Sequence, residues 1–440
     1  MKKHLLVAAA LLPALSQAAP VVTQPGPLMT LGPASTPQTG LSVLYNPASA
    51  ETVIKEGDDY RWGYLGSTGF SIEMGDVNNF SDEVNDLIDQ LDRDNIGLNE
   101  GIEIQDDWNN NLRQKIGADG YIKFDVQFVA PLAPLLMRSD LLGGVVSLDL
   151  VGGITGKGII LDETLEYSAA TSSVETNTSL YLKSVQYTTL GLGYSHEMDN
   201  TLLDSLNQHV EGRLLIGARA NMYNLKLSKQ VIGLQNIDDG DELADVIADD
   251  LTENQASSTQ TGIDLGLIWE AENYHLGATW RNINEPEFDY GVVGIDCNTK
   301  STTTSISNCF TAFHFVSEGR ISQNETHVMT SQTTLDAAIN SANKRWRLAA
   351  SYDLQAMRDP VGDEYQWMTA SAAYVSSSLF GMRVGMSENL AGTELTMMNA
   401  GMTLFGVLNL DVRYSLDTTE VDGTEVPRTF GINLGLESSF

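Results

Sequence analysis

The chain has 440 residues, with 58 acids against 25 Lys and Arg and a formal charge of −33. That balance repels phosphate backbones and excludes nucleic acid as a partner. A mean hydropathy of −0.12 excludes a bundle of membrane helices, and 42% apolar residues exclude a disordered chain. The length allows several soluble domains or one large closed barrel.

Lys2, Lys3 and His4 precede the apolar run Leu5 to Leu12, and Ser16-Gln17-Ala18 offers small residues for cleavage. Residues 1–18 therefore read as a secretory signal peptide, with a run too short to cross a bilayer. No stretch of eighteen apolar residues follows it. In an exported chain, Cys297 and Cys309 read as a disulfide pinning a Ser/Thr/Asn-rich loop. The remaining histidines are scattered, so neither a metal site nor a cofactor is expected.

Residues 19–58 open with Pro20, Pro25, Pro27, Pro33 and Pro37, which bar both a helix and an inner strand. The alternating runs Tyr60, Trp62, Tyr64 and Phe70, Ile72, Met74 read as two strands joined near Gly66. From Ser81, a candidate N-cap, Val84, Leu87, Ile88 and Leu91 recur at helical spacing opposite Asp86, Asp89 and Asp92. A weaker helical stretch covers Asp107 to Ile116. This insertion, about 80–116, could cap a barrel mouth, face the periplasm or enter the lumen; the sequence leaves the choice open.

Alternation governs the rest. Ile122, Phe124, Val126 and Phe128 oppose Lys123, Asp125 and Gln127. Tyr181 to Tyr194 is mixed, with a turn expected near Thr188. Ile216, Ala218 and Ala220 oppose Gly217, Arg219 and Asn221, and five further rows run from Trp346 to Leu416. The last strand sets Phe430, Ile432, Leu434 and Leu436 against Gly431, Asn433, Gly435 and Glu437, and the chain ends on Phe440. Tight links near Ala271, Val375–Leu379 and Phe405 alternate with long polar ones at Ile232–Gln260, Asn282–Lys344 and Thr418–Arg428. Several rows are long enough to cross a bilayer when tilted, and aromatics sit near their ends. The reading is an all-β chain with a minor α insertion, an antiparallel transmembrane β-barrel of about fourteen strands over 59–440.

The export signal, the box Tyr45-Asn46-Pro47-Ala48, the early acidic helix and the strand Met382-Arg383-Val384-Gly385-Met386 followed by Asn389-Leu390 are similar to those of TraF-type conjugal-transfer-associated outer-membrane proteins, within the FadL-like barrels. The resemblance implies that Asn46, Pro47 and Ala48 belong to an amino-terminal plug and that small hydrophobic molecules bind or diffuse through the lumen. It also implies that Phe440 is read by the barrel-assembly machinery, with outer-membrane lipid and lipopolysaccharide as surroundings. The alternative it carries is a structural role in an envelope apparatus such as conjugal transfer.

On polar strand faces lie Arg213, Arg219, Arg281, Arg345, Arg347, Asp353, Arg383, Asp411 and Arg413, all expected to face the lumen. They either orient an anionic head group or pair to fill the lumen and hold the plug, and pairing is the plainer expectation. The acidic run Asp238 to Glu253 lacks the ligand spacing of a calcium loop and reads as solvated, with Leu243, Val246, Ile247 and Leu251 forming a short amphipathic helix. Gly156-Lys157-Gly158 is no phosphate loop and no G-x-S-x-G elbow occurs, so no catalytic residue is named.

Overall fold

The computed structural model describes residues 24–437 apart from 38, 55–56, 94, 199–210, 238–242 and 378. The expected signal peptide, Phe440 and the run Asp238 to Glu242 lie outside the described residues.

One antiparallel sheet closes on itself. Its strands are β1 (Tyr60–Met74), β2 (Tyr121–Val129), β3 (Leu135–Ser139), β4 (Gly144–Leu161), β5 (Ser179–Glu197), β6 (Arg213–Gly233), β7 (Gln255–Glu270) and β8 (Tyr274–Arg281). There follow β9 (Gln332–Asn340), β10 (Trp346–Asp353), β11 (Trp367–Ser377), β12 (Phe380–Asn389), β13 (Thr396–Leu404), β14 (Leu408–Ser415) and β15 (Thr429–Glu437). Each strand pairs with its neighbour in sequence, except that β2 and β3 share one position between β1 and β4. The barrel therefore has 14 positions, closed where β15 pairs with β1, Leu434 opposite Thr68 and Ile432 opposite Phe70. Closure leaves no unpaired strand edge, which hydrocarbon would not tolerate.

Alternation decides the two faces. Outward positions such as Phe70, Leu192, Leu267, Leu348, Val384, Ile432 and Leu434 stay exposed, a greasy belt far larger than a soluble surface carries. Inward positions such as Asp149, Arg219, Asp264, Asn399 and Asp411 are buried. Trp346 and Tyr374, paired with ring centroids 4.6 Å apart, sit at the short-turn end. Trp280, Tyr352 and Tyr414 lie near the long-loop end, so aromatic rings mark both boundaries of the belt.

Several expectations need correction. Prolines do not keep all helix out of the amino-terminal segment, since Leu28–Leu31 makes one helical turn that starts after Pro27. Residues 60–74 form one strand with an irregularity between Gly63 and Gly66, not two strands. No turn falls at Thr188: β5 runs unbroken for 19 residues, because both faces of its upper half are buried and alternation there carries no polarity signal. The span 282–344 is not all loop, since it contains β9, whose outward row includes Thr333 and Ala337 and so gives a weak pattern.

The long links gather at one end. The insertion holds α1 (Phe80–Leu91), α2 (Leu98–Asp107) and α3 (Arg113–Asp119), with a wider turn over Trp108–Leu112. Asn79, not Ser81, precedes the first helix. A fourth helix, α4 (Leu243–Asp250), follows β6, and α5 (Thr303–Ser317) lies between β8 and β9. Strands β4, β5 and β6 have 18, 19 and 21 residues. A tilted crossing needs only about 9–11, so their upper halves overshoot the bilayer. Their outer face there (Ile160, Leu180, Leu182, Ile232) is covered by Val84, Leu87 and Ile88 of α1 together with Leu243, Val246 and Ile247 of α4. Their inner face (Leu161, Tyr181, Val231) is covered by Ala312 and Phe315 of α5. The helical insertion thus stands outside the wall at the long-loop end, not in the lumen.

Candidate functional site

The site is the lumen, and the described residues of 24–54 lie against its inner wall. Asn46 accepts the Ala48 N–H at 3.0 Å, capping the turn Pro47–Ser49, while its amide donates to the Leu267 carbonyl at 3.3 Å. Proline at the first position of that turn loses no hydrogen bond. The turn can lie flat on the wall because Gly217 and Gly266 face it. A Cβ on Gly266 would stand 2.1 Å from the Asn46 side-chain oxygen, and one on Gly217 would stand 2.4 Å from the Ala48 nitrogen. Ala48 then packs on Leu215 and Ile268.

Inward arginines hold the same segment by its carbonyls. Arg219 grips Asp149 with two nitrogens, at 3.1 and 2.5 Å, and donates to the Leu44 carbonyl at 3.0 Å. Arg347 donates to the Ser35 carbonyl at 2.6 Å, and Asp336 accepts the Ser35 N–H at 2.9 Å. Arg413 reaches the Met29 carbonyl at 3.0 Å. Arg383 pairs with Asp411 at 2.7 and 2.5 Å, and Asp411 also takes the Thr30 hydroxyl at 2.6 Å. Glu437 accepts the Gly40 N–H at 2.7 Å. Such bidentate, charge-assisted contacts are strong once both partners leave water.

The other candidates fall elsewhere. Arg281 lies over the Tyr45 ring, 5.3 Å from its centroid, and Asp353 accepts the Thr334 hydroxyl at 2.6 Å. Arg213 sits at the short-turn rim, tied to Glu197 at 2.8 Å and Glu270 at 2.6 Å. Arg345 is a correction: it occupies the exposed turn before β10, where no strand face directs it inward. Cys297 and Cys309 are bonded, fastening the turn Cys297–Thr299 to α5. The Arg213 and Arg281 guanidiniums are thus engaged, Arg281 also donating to the Gln332 side-chain oxygen.

Above the segment the inner wall changes character. Val151, Val185, Tyr187, Tyr223, Leu225 and Leu227 face inward, and Phe288, Tyr290 and Met329 of the β8–β9 loop fill the space between them. A cavity of about 50 Å³ remains beside Tyr45, Val151 and Tyr223. Benzene occupies a cavity of roughly 150 Å³ in a dry core, so no such guest fits without movement.

The mouth carries residues that the sequence reading missed. Asp359 and Asp363, in the β10–β11 loop, meet Lys123 of β2 at 2.5 and 2.8 Å, and Asp363 also meets Lys157 of β4. Burial alone would raise the Asp363 pKa, but the two ammonium groups outweigh it and hold the carboxyl at about 2. Glu325 is shared between Lys183 at 2.5 Å and Lys229 at 3.5 Å. Burial opposes its ionisation too, yet the two lysines keep its pKa below the usual range. His327, by contrast, is lowered to about 4, first by burial and then by Lys183. Lysines at inward, odd-numbered strand positions were the available signal for this ring.

A family model described as "F plasmid transfer operon, TraF, protein" matches residues 43–353. The chain belongs to that family. No curated protein matches the sequence. Among solved structures, a FadL homologue of Pseudomonas aeruginosa is similar at 11% identity, covering 96% of this chain and 99% of that one, with a TM-score of 0.44. The Pseudomonas putida toluene transporter TodX is similar at 12% identity over 97% of this chain and 99% of that one, TM-score 0.42. The Ralstonia pickettii toluene transporter TbuX gives 12% identity, 97% and 99% coverage, and a TM-score of 0.33. A TraF-family barrel with this greasy belt and these aromatic boundaries belongs in an outer membrane.

Proposed function

We propose that the protein is a plugged outer-membrane channel that binds small hydrophobic molecules and passes them by diffusion. The observation that carries this reading is the apolar inner zone. A water-filled porin keeps a polar interior, whereas Val185, Tyr187, Tyr223, Leu225 and Leu227 line this lumen above the segment. A guest would take the place of Phe288 and Met329, and the segment around Asn46-Pro47-Ala48 would close the lower end. The chain would then need no cofactor and act without catalysis. We read residues 1–18 as removed on export, and Phe440 as the mark used by the assembly machinery to place the barrel among lipid and lipopolysaccharide.

Detergent-purified protein is expected to bind a hydrophobic fluorophore such as N-phenylnaphthylamine saturably, and F288A, which widens the apolar zone, to bind it more tightly. Absence of binding by both, with unchanged entry of the probe into producing cells, would contradict the reading. Family membership favours a second reading, a structural part of a conjugal-transfer apparatus. Loss of mating on deletion of the gene, with probe entry intact, would favour that one.

A further inference from the structure

Glu163 follows Asp162 just beyond the end of β4, and His314 and Glu318 stand one turn apart at the end of α5. His314 Nε2 lies 3.7 Å from a Glu163 oxygen and 3.5 Å from a Glu318 oxygen. One ligand atom from each residue falls within 4.8 Å of the others. Although His314 Nε2 is covered, it has no hydrogen-bond partner. An imidazolium paired with a carboxylate normally closes to about 2.7–2.9 Å. The two His314 separations lie a few tenths of an ångström above the roughly 3.3–3.4 Å edge of a tetrahedron with bonds of about 2.0–2.1 Å, and the three ligand atoms, within 4.8 Å of one another, would draw together on an ion. Arg320 donates at 3.2 Å to the same Glu163 oxygen that faces His314, and to Asp162 at 2.9 Å, which fixes that carboxylate in place.

We propose that Glu163, His314 and Glu318 bind a first-row divalent cation of the zinc class, clipping α5 to the barrel wall. One imidazole with two carboxylates suits Zn²⁺ or its neighbours. Calcium is disfavoured because it takes about 6–8 oxygens and makes no use of a nitrogen. The disulfide fixes α5 to its own turn, while the ion would fix it to the strand beneath, so the cap over the lumen gains a second fastening. The sequence reading expected no metal because the histidines are scattered, and Glu163 and His314 stand 151 positions apart. Only the fold brings them together.

The test is a Zn²⁺ titration of untagged, detergent-purified full-length protein, followed by competition with a chromophoric chelator and by hydrogen exchange of residues 303–320. Wild type is expected to saturate at about one Zn²⁺ per chain and to slow exchange in α5, with H314A and E318Q binding at least about tenfold more weakly. Heat-modifiable migration in a gel verifies that both variants keep the barrel. The proposal is overturned if wild type shows no saturable binding, if both variants bind like wild type, or if Ca²⁺ at equal concentration displaces Zn²⁺.

Discussion

Two sides of this barrel are built to different rules. From β8 to β15 the strands run 8 to 11 residues, their outer rows meet lipid, and their inner rows meet the amino-terminal segment. From β4 to β6 they run 18 to 21 residues, with helices packed outside and a disulfide-bearing cap packed inside. Lipid outside and polar contacts inside make a strand alternate visibly. Protein on both faces makes it apolar throughout, as in Leu180-Tyr181-Leu182. Both sides therefore cross the membrane, the long strands with the exposed rows Leu148, Leu150, Leu190, Leu192 and Met222, and only the long side continues beyond it as a wall for the cap.

The sharpest way to break the short side is to unpair its charges. R383M leaves the Asp411 carboxylate buried without its bidentate partner, and should cost about 3–5 kcal/mol in a chemical melt of the folded barrel. Loss of less than about 1 kcal/mol there would mean that water reaches Asp411.

The long side should answer to acid. His327 is neutral in the fold, with its pKa lowered from 6.5 to about 4. The unfolded imidazole takes up a proton first, so stability is full above about pH 6.5 and declines as pH falls toward 4. The loss should approach about 3 kcal/mol, read as faster hydrogen exchange of residues 318–331 after correction for intrinsic rates. H327N should remove that dependence while leaving exchange in β12 and β13 unchanged.

Reduction of the Cys297–Cys309 bond, which closes a short loop over the mouth, should cost about 2–3 kcal/mol locally. Proteolysis should then cut within 297–309 while the barrel stays resistant. The smallest effect is expected at the girdle: W346A should cost about 1 kcal/mol and weaken membrane anchoring without altering lumen behaviour.

The same contrast explains what could be read from the sequence. The rows from Trp346 to Leu436 were legible because each faces two unlike surroundings. The upper half of β5 was not, and an unbroken strand looked like two. Pairing of inward Arg219 and Arg383 was foreseeable in kind, since charge at that depth must be neutralised. Their specific hold on the carbonyl of Leu44 and on Asp411 was not, because the partners lie 175 and 28 residues away. Arg345 shows the limit of face counting: one step beyond the strand, the turn points it to solvent. Lys123 was read as an ordinary strand residue and Lys157 only as part of a rejected phosphate loop, and only the approach of Asp359 and Asp363 makes them a latch.

Conductance across a planar bilayer tests the central claim most directly. Wild-type protein should be closed to ions, because inward arginines hold the amino-terminal segment to the inner wall and Phe288, Tyr290 and Met329 pack above it. A variant lacking residues 24–54, shown to be folded by heat-modifiable migration, should open stepwise. Steady porin-like current through wild type, or a deletion that conducts no better, would contradict the account.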